Sequence, residues 1–158
     1  MKDITAVHFK AGDVIFREGD RPGGVYLINQ GAVEITKDKA GEKITLATLG
    51  WNSIFGEMAL IDKKPRSATA TALKDTWCYL VDEQSFQKKI DELDPFMRGI
   101  CRVLVQIARN MTEKYPAEME EVVSSVPPQI AMDESSPVDA QGRPMKRSTL
   151  PMVDDEKK

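Results

Sequence analysis

The residues best able to do chemistry lie in one stretch, Phe55-Gly56-Glu57-Met58-Ala59-Leu60-Ile61-Asp62-Lys63-Lys64-Pro65-Arg66-Ser67-Ala68-Thr69-Ala70. Gly56 lets the backbone approach another group closely. Glu57 to Ile61 is long enough for about one helical turn, whose first N–H groups are free to meet an anion. Arg66 offers a fork of donors matched to phosphate oxygens. Ser67 adds a hydroxyl and a backbone N–H beside it. Glu57, when ionised, only accepts hydrogen bonds, which suits a sugar hydroxyl. A glycine, an acid, a helix start and an Arg–Ser pair suit a phosphate fused to a ribose.

Other chemistries lack their residues. The single histidine, His8, cannot build a multi-histidine metal centre, and it makes a Ser-His-Asp site a poor reading. It reads instead as a surface or strand-end residue. Two cysteines, Cys78 and Cys101, are too few for a four-cysteine zinc site or a disulfide scaffold, and read as reduced thiols in or near the core. No clustered acids or metal cage supports hydrolysis of a bound phosphodiester. A net charge of −3 argues against a general nucleic-acid binder. The N-terminus lacks the pattern of a signal peptide, and no apolar run approaches the ~20 residues of a membrane span. The expectation is a soluble, cytoplasmic protein of 158 residues with one folded domain and no catalytic activity.

The elements that hold the 55–70 stretch can be read on either side of it. Eight of the ten glycines fall between Gly12 and Gly56. Between them lie Val14-Ile15-Phe16, Val25-Tyr26-Leu27-Ile28, Ala32-Val33-Glu34-Ile35-Thr36 and Ile44-Thr45-Leu46-Ala47. Short apolar or alternating runs at this spacing predict strands of a barrel, sandwich or roll. Asn29-Gln30-Gly31 and Asp38-Lys39-Ala40-Gly41 read as hairpin turns. Ser67 to Leu73 and Thr76 to Val81 continue the β pattern.

The period then becomes helical. Asp82 predicts an N-cap for a helix over 83–93, and Asp94-Pro95 starts a second over 95–114. In the second, Phe96, Ile100, Val103, Leu104, Ile107 and Met111 line one face, which predicts packing on the β unit. Strands first and helices last give a mainly β, α+β fold.

Composition changes after Tyr115. Residues 116–158 have no aromatic residue, hold six of the nine prolines, and carry nine acids against five bases. Such a segment buries too little to offset its ordering entropy, so 116–158 reads as a disordered acidic tail with a short helical start at Glu118 to Val123. Lys146-Arg147-Ser148-Thr149 within it has the look of a basic kinase target. The folded domain is then 1–115.

With these residues assembled, the chain resembles the cyclic nucleotide-binding domain family over about residues 9–112. The family's phosphate-binding cassette reads Phe-Gly-Glu-x-Ala-Leu, a short linker, then Arg, a small residue, and Ala-Thr; residues 55–70 fill each of these positions in register. Gly12-Asp13, Gly19-Asp20 and Tyr26-Leu27-Ile28 leading to Gly31 are similar to the family's β-roll. The resemblance implies a double-stranded β-helix (a β-roll or jelly roll) followed by C-terminal helices. It implies that Glu57 accepts from the ribose 2′-hydroxyl and that Gly56 admits the sugar. The N–H groups of Met58, Ala59 and Ser67, with the Ser67 hydroxyl, would hold the cyclic phosphate, and Arg66 would pair with an exocyclic oxygen. The C-terminal helix would cap the base, with Arg102, Val105 and Arg109 as candidates.

Two departures stand out. About eight residues precede Phe9, where the family usually has helices, and Gly24 stands where an acid or serine is common. The implied function is a sensor of cyclic AMP, favoured over cyclic GMP, with no other cofactor. Its output would pass through the C-terminal helices to a separate partner protein or a second copy. The tail is acidic and shows no paired helical pattern, so direct DNA binding is not expected. The alternative is a ligand-independent interaction module on the same scaffold, which would be expected to lose Glu57 or Arg66.

Overall fold

The computed structural model describes residues 4–114 and Pro116. Eight strands run β1 (Ile4–Phe9), β2 (Val14–Phe16), β3 (Gly24–Gln30), β4 (Val33–Lys39), β5 (Glu42–Leu49), β6 (Ile54–Phe55), β7 (Thr69–Ala72) and β8 (Thr76–Asp82). A short helix, α1 (Glu57–Ile61), lies between β6 and β7, and α2 (Glu83–Asp91) and α3 (Pro95–Lys114) follow β8. The strands form two four-stranded antiparallel sheets, ordered β1-β8-β3-β6 and β2-β7-β4-β5. Successive strands mostly alternate between the sheets, which is the β-roll that the sequence implies. Two of these strands, β1 and β6, were not among the runs read from sequence.

The alternation of side chains sets the layers. β7 reads Thr-Ala-Thr-Ala, and its two alanines are buried while its threonines are half-buried. Ile28, Val33, Phe55, Ala70 and Cys78 form the centre between the sheets, with Val7, Phe9, Ile15, Phe16, Tyr26, Ile35 and Leu49 packed around them. Burial pushes the Cys78 thiol up to about 12, so it is an unreactive core residue, whereas Cys101 is half-exposed on α3. His8 lies near the end of β1 and stacks on Trp77 of β8, with ring centroids 4.5 Å apart.

One of the two expected hairpins is present. β4 and β5 pair with Lys39 opposite Glu42, across a turn in which Ala40 and Gly41 both have positive φ. The other expectation is corrected. Asn29-Gln30-Gly31 is a corner between sheets, because β3 and β4 lie in different sheets. Thr76 ties that corner down: its hydroxyl accepts from the Ala32 N–H at 3.2 Å and donates its proton between the Lys74 and Ala32 carbonyls, at 2.7 and 3.1 Å.

The helix starts follow their capping residues. The Asp82 carboxylate accepts from the Ser85 N–H at 2.9 Å, and Asp94 accepts from the N–H groups of Phe96 and Met97 at 2.9 and 3.1 Å. α2 ends at Asp91, two residues before the predicted 93. The packing of α3 is a second correction. The apolar stripe faces away from the body: Phe96 is 74 % exposed, Val103 59 %, Leu104 60 % and Ile107 50 %. Val105 and Arg109 are the buried residues of α3, with Cys101, Ala108 and Thr112 half-buried beside them. The expected tail lies outside the described residues, apart from Pro116, which is buried.

Candidate functional site

β6 ends at Phe55, and Gly56 turns the chain into α1 with φ 84° and ψ 1°. That left-handed conformation costs a residue with a Cβ about 1–2 kcal/mol, and glycine avoids the cost. Ala59 and Leu60 bury one side of α1, leaving Glu57 and Met58 half-buried. The chain then doubles back: the Asp62 N–H donates to the Met58 carbonyl, the Lys64 N–H donates to the Ala59 carbonyl, and Pro65 leads into Arg66.

Arg66 is the centre of the arrangement. It is only 4 % exposed. Its Nη1 donates to the Gly56 carbonyl at 2.5 Å and its Nη2 to the Gly24 carbonyl at 2.8 Å. The guanidinium carbon sits 4.1 Å from the centroid of the Phe16 ring. Phe16, Tyr26 and Phe55 form the aromatic wall behind it, with Tyr26 and Phe55 stacked at 5.1 Å. Backbone bonds fix its origin: the Arg66 N–H donates to the Asp20 carbonyl and the Arg66 carbonyl accepts from the Gly19 N–H, both at 2.9 Å. Among the described residues no carboxylate hydrogen-bonds to this guanidinium, and its Nε is buried without a partner.

Gly24 thereby acquires a physical reason. It stands on β3 where a Cβ would lie 2.5 Å from Leu80 Cδ1 and 2.6 Å from the Val81 carbonyl oxygen. Position 24 therefore meets Arg66 with a backbone carbonyl and cannot offer it a side chain.

Burial acts on two charged residues of this unit. Burial pushes the Glu57 carboxyl up, against the opposing pull of its own backbone N–H and of the Arg66 charge. Burial also lowers the Arg66 pKa, offset in part by Tyr26, Glu57, Asp20 and Glu83. The guanidinium is held by the neutral carbonyls of Gly56 and Gly24. Beside it Ser67 is half-buried, and its carbonyl accepts from Lys37 Nζ at 3.0 Å, a nitrogen that also pairs with Glu18 at 2.6 Å.

The fold gathers Gly56, Glu57, Met58, Ala59, Arg66 and Ser67 into one loop–helix–loop unit. The three candidates on α3 have separate environments. Arg102 is exposed, Val105 is buried, and Arg109 is committed to an ion pair with Asp62 and to the Pro65 carbonyl at 3.0 Å. Sequence reasoning did not single out Phe16, Asp62 or Lys37 as neighbours of the site. A Phe in a strand and a surface-type acid carry no local signal for such a role.

Comparison with known proteins bears on the family and the fold. The family described as "Cyclic nucleotide-binding domain" matches residues 6–92. A cAMP-dependent protein kinase regulatory subunit from Dictyostelium discoideum is 34 % identical over 99 residues, covering 60 % of this chain and 30 % of that protein. The Cyclic AMP receptor protein of Thermus thermophilus is 41 % identical over 102 residues, covering 64 % of this chain and 47 % of that protein. The chain thus spans less than half the length of either curated relative. Among solved structures, the cAMP-bound form of the EAL enzyme Bd1971 superposes with a TM-score of 0.67 at 36 % identity, covering 69 % of this chain and 29 % of that one. The match spans the roll, the cassette between β6 and β7, and α2, and on that ground the chain belongs to the cyclic nucleotide-binding domain family.

Proposed function

We propose that this domain is a sensor that binds cyclic AMP in preference to cyclic GMP and passes binding through α2 and α3 to a separate partner. One observation supports it above the rest: among the described residues, Arg66 is a buried cation met only by carbonyl oxygens and an aromatic face, beside the N-terminal turn of α1. An exocyclic phosphate oxygen supplies the directly bonded anion that the guanidinium lacks among the described residues. Glu57 accepts from the ribose 2′-hydroxyl, Gly56 admits the sugar, and Met58, Ala59 and Ser67 hold the phosphate. The preference for adenine rests on the relatives named for cyclic AMP. We read the site as one of recognition, with no hydrolysis of the ligand.

The exposed face of α3 favours a second copy as one partner. Phe96, Ile100, Val103 and Ile107 repeat at steps of four, three and four, the spacing of a two-helix seam. A cytoplasmic setting, where cyclic nucleotides are made and read, fits this role.

Isothermal titration calorimetry tests the reading, using nucleotide-free chain and a version ending at residue 115, with cyclic AMP, cyclic GMP and 5′-AMP. Micromolar or tighter binding of cyclic AMP to both versions, and none of 5′-AMP, is expected. Folded, nucleotide-free protein that binds neither cyclic form would transfer the argument to a ligand-independent interaction module.

A further inference from the structure

Arg109 of α3 reaches 47 positions back along the chain to the cassette. Its Nε pairs with one carboxylate oxygen of Asp62 and its Nη2 donates to the other at 3.0 Å. The same Nη2 donates to the Pro65 carbonyl at 3.0 Å. Both side chains are about nine-tenths buried, with 10 % and 9 % left exposed. Asp62 caps the C-terminus of α1, at the opposite end from Glu57.

The Pro65 carbonyl belongs to the peptide unit whose N–H is that of Arg66. That N–H donates to the Asp20 carbonyl at 2.9 Å. The peptide unit is therefore held from both sides, by the loop after β2 through its hydrogen and by α3 through its oxygen. One helical turn earlier, Gln106 of α3 accepts from Lys64 Nζ at 3.3 Å. α3 thus grips the segment entering Arg66 and leaves its own apolar stripe outside.

We infer that Arg109, set by Asp62, is a positioning residue for Arg66: it fixes the backbone from which the guanidinium reaches the phosphate. This rests on the reading of Arg66 as the phosphate ligand. It assigns Arg109 to the rear of the cassette and not to the face of the base. It also ties the seat of α3 to affinity for the ligand. Whatever draws α3 off the cassette weakens the site, and by reciprocity ligand binding holds α3 down. Asp62 ties the end of α1 to the same grip, because its Oδ1 also accepts from the Lys64 N–H.

The test uses the full chain as wild type, Asp62→Asn, Arg109→Gln and the double variant. Calorimetry with cyclic AMP and cyclic CMP gives affinities, and hydrogen exchange without nucleotide reports the Arg66 amide. Each single variant is expected to lose about tenfold in affinity for both nucleotides, within the usual range of coupling between sites. The double variant is expected to lose no more than the worse single one, because the two residues act as one unit. Exchange at the Arg66 amide rises in Arg109→Gln.

Wild-type affinity and exchange in Arg109→Gln would overturn the inference. So would a loss confined to the purine, since that places Arg109 against the base. Wild-type protein that binds neither nucleotide would defeat the ligand reading instead; unchanged exchange at the Arg66 amide would then still defeat the positioning role, and raised exchange would sustain it.

Discussion

The carbonyl oxygen of Gly56 lies 2.5 Å from Nη1 of Arg66, and a Cβ at position 56 would lie the same 2.5 Å from that nitrogen. One residue therefore supplies the acceptor that orients the guanidinium and the empty space in which it sits. Gly56→Ala meets two costs, the left-handed backbone and the collision. We predict a loss of about 1–2 kcal/mol from the backbone alone, with a further loss from displaced Arg66. Urea unfolding measures the first, and titration with cyclic AMP should show a weaker site. Wild-type stability in this variant would mean that the turn re-forms without positive φ.

Arg66→Lys keeps the charge and loses the fork. Lysine cannot serve the Gly56 and Gly24 carbonyls in the plane of a guanidinium and present a further donor to phosphate. Affinity for cyclic AMP should fall by about 2 kcal/mol, the scale of a hydrogen bond to a charged group. An undiminished affinity, measured by calorimetry, would show that the phosphate is held by other groups.

Burial disfavours the charged form of Glu57 in the folded protein. Burial raises its pKa in the folded state above the unfolded value, so the fold binds the proton more tightly than the unfolded chain does. Its contribution to stability is present at low pH. It is lost as pH rises from the ordinary glutamate range through the raised folded value. Glu57→Gln should therefore raise the melting temperature of nucleotide-free protein at neutral pH, with the gain shrinking towards pH 4. Glu57→Ala should erode the preference for cyclic AMP over its 2′-deoxy form. A melting curve unchanged at neutral pH would remove the burial argument; a preserved ribose preference would remove the sugar contact.

Leu104 is 60 % exposed on α3 beside Val103 and Ile107. If two copies meet along this face, Leu104→Glu buries a charge at the seam and should yield monomers by light scattering across concentrations at which the wild type is dimeric. Because the residue faces away from the body, the melting temperature of the isolated fold should change little. A wild type that is monomeric at the highest concentration would exclude the second copy as occupant.

Much of this was legible in the residues. Six of the eight strands sit on runs that alternate or cluster apolar side chains. Asp82 and Asp94 announce the two later helices, and α1 runs over Glu57–Ile61 as read. β1 and β6 were harder, because β1 mixes exposed and half-buried positions and β6 is two residues long. The face of α3 was read in reverse for a physical reason. Counting apolar residues finds the greasiest side of a helix, but the side that meets the cassette carries Val105 and an arginine satisfied by Asp62. A buried ion pair between residues 47 positions apart leaves no periodic trace. The carbonyls of Gly56 and Gly24 were equally invisible, since every residue has one and only the fold decides where it points.

The pairing of β1 with β8 has a consequence for how the molecule comes into being. Ile4 lies opposite Val81 and Phe9 opposite Thr76, and among the described strands β1 has no sheet neighbour except β8. During synthesis β1 must wait for nearly the whole roll, and contacts so distant in sequence slow folding. β8 also lies beside β3, whose Gly24 carbonyl holds Arg66. A ribosome-bound chain short of residue 82 therefore lacks the frame that seats the guanidinium, and α3 can settle on Asp62 only later still. Ligand added to growing chains should then speed no early step of folding and should trap only the last, in which helix and cassette join.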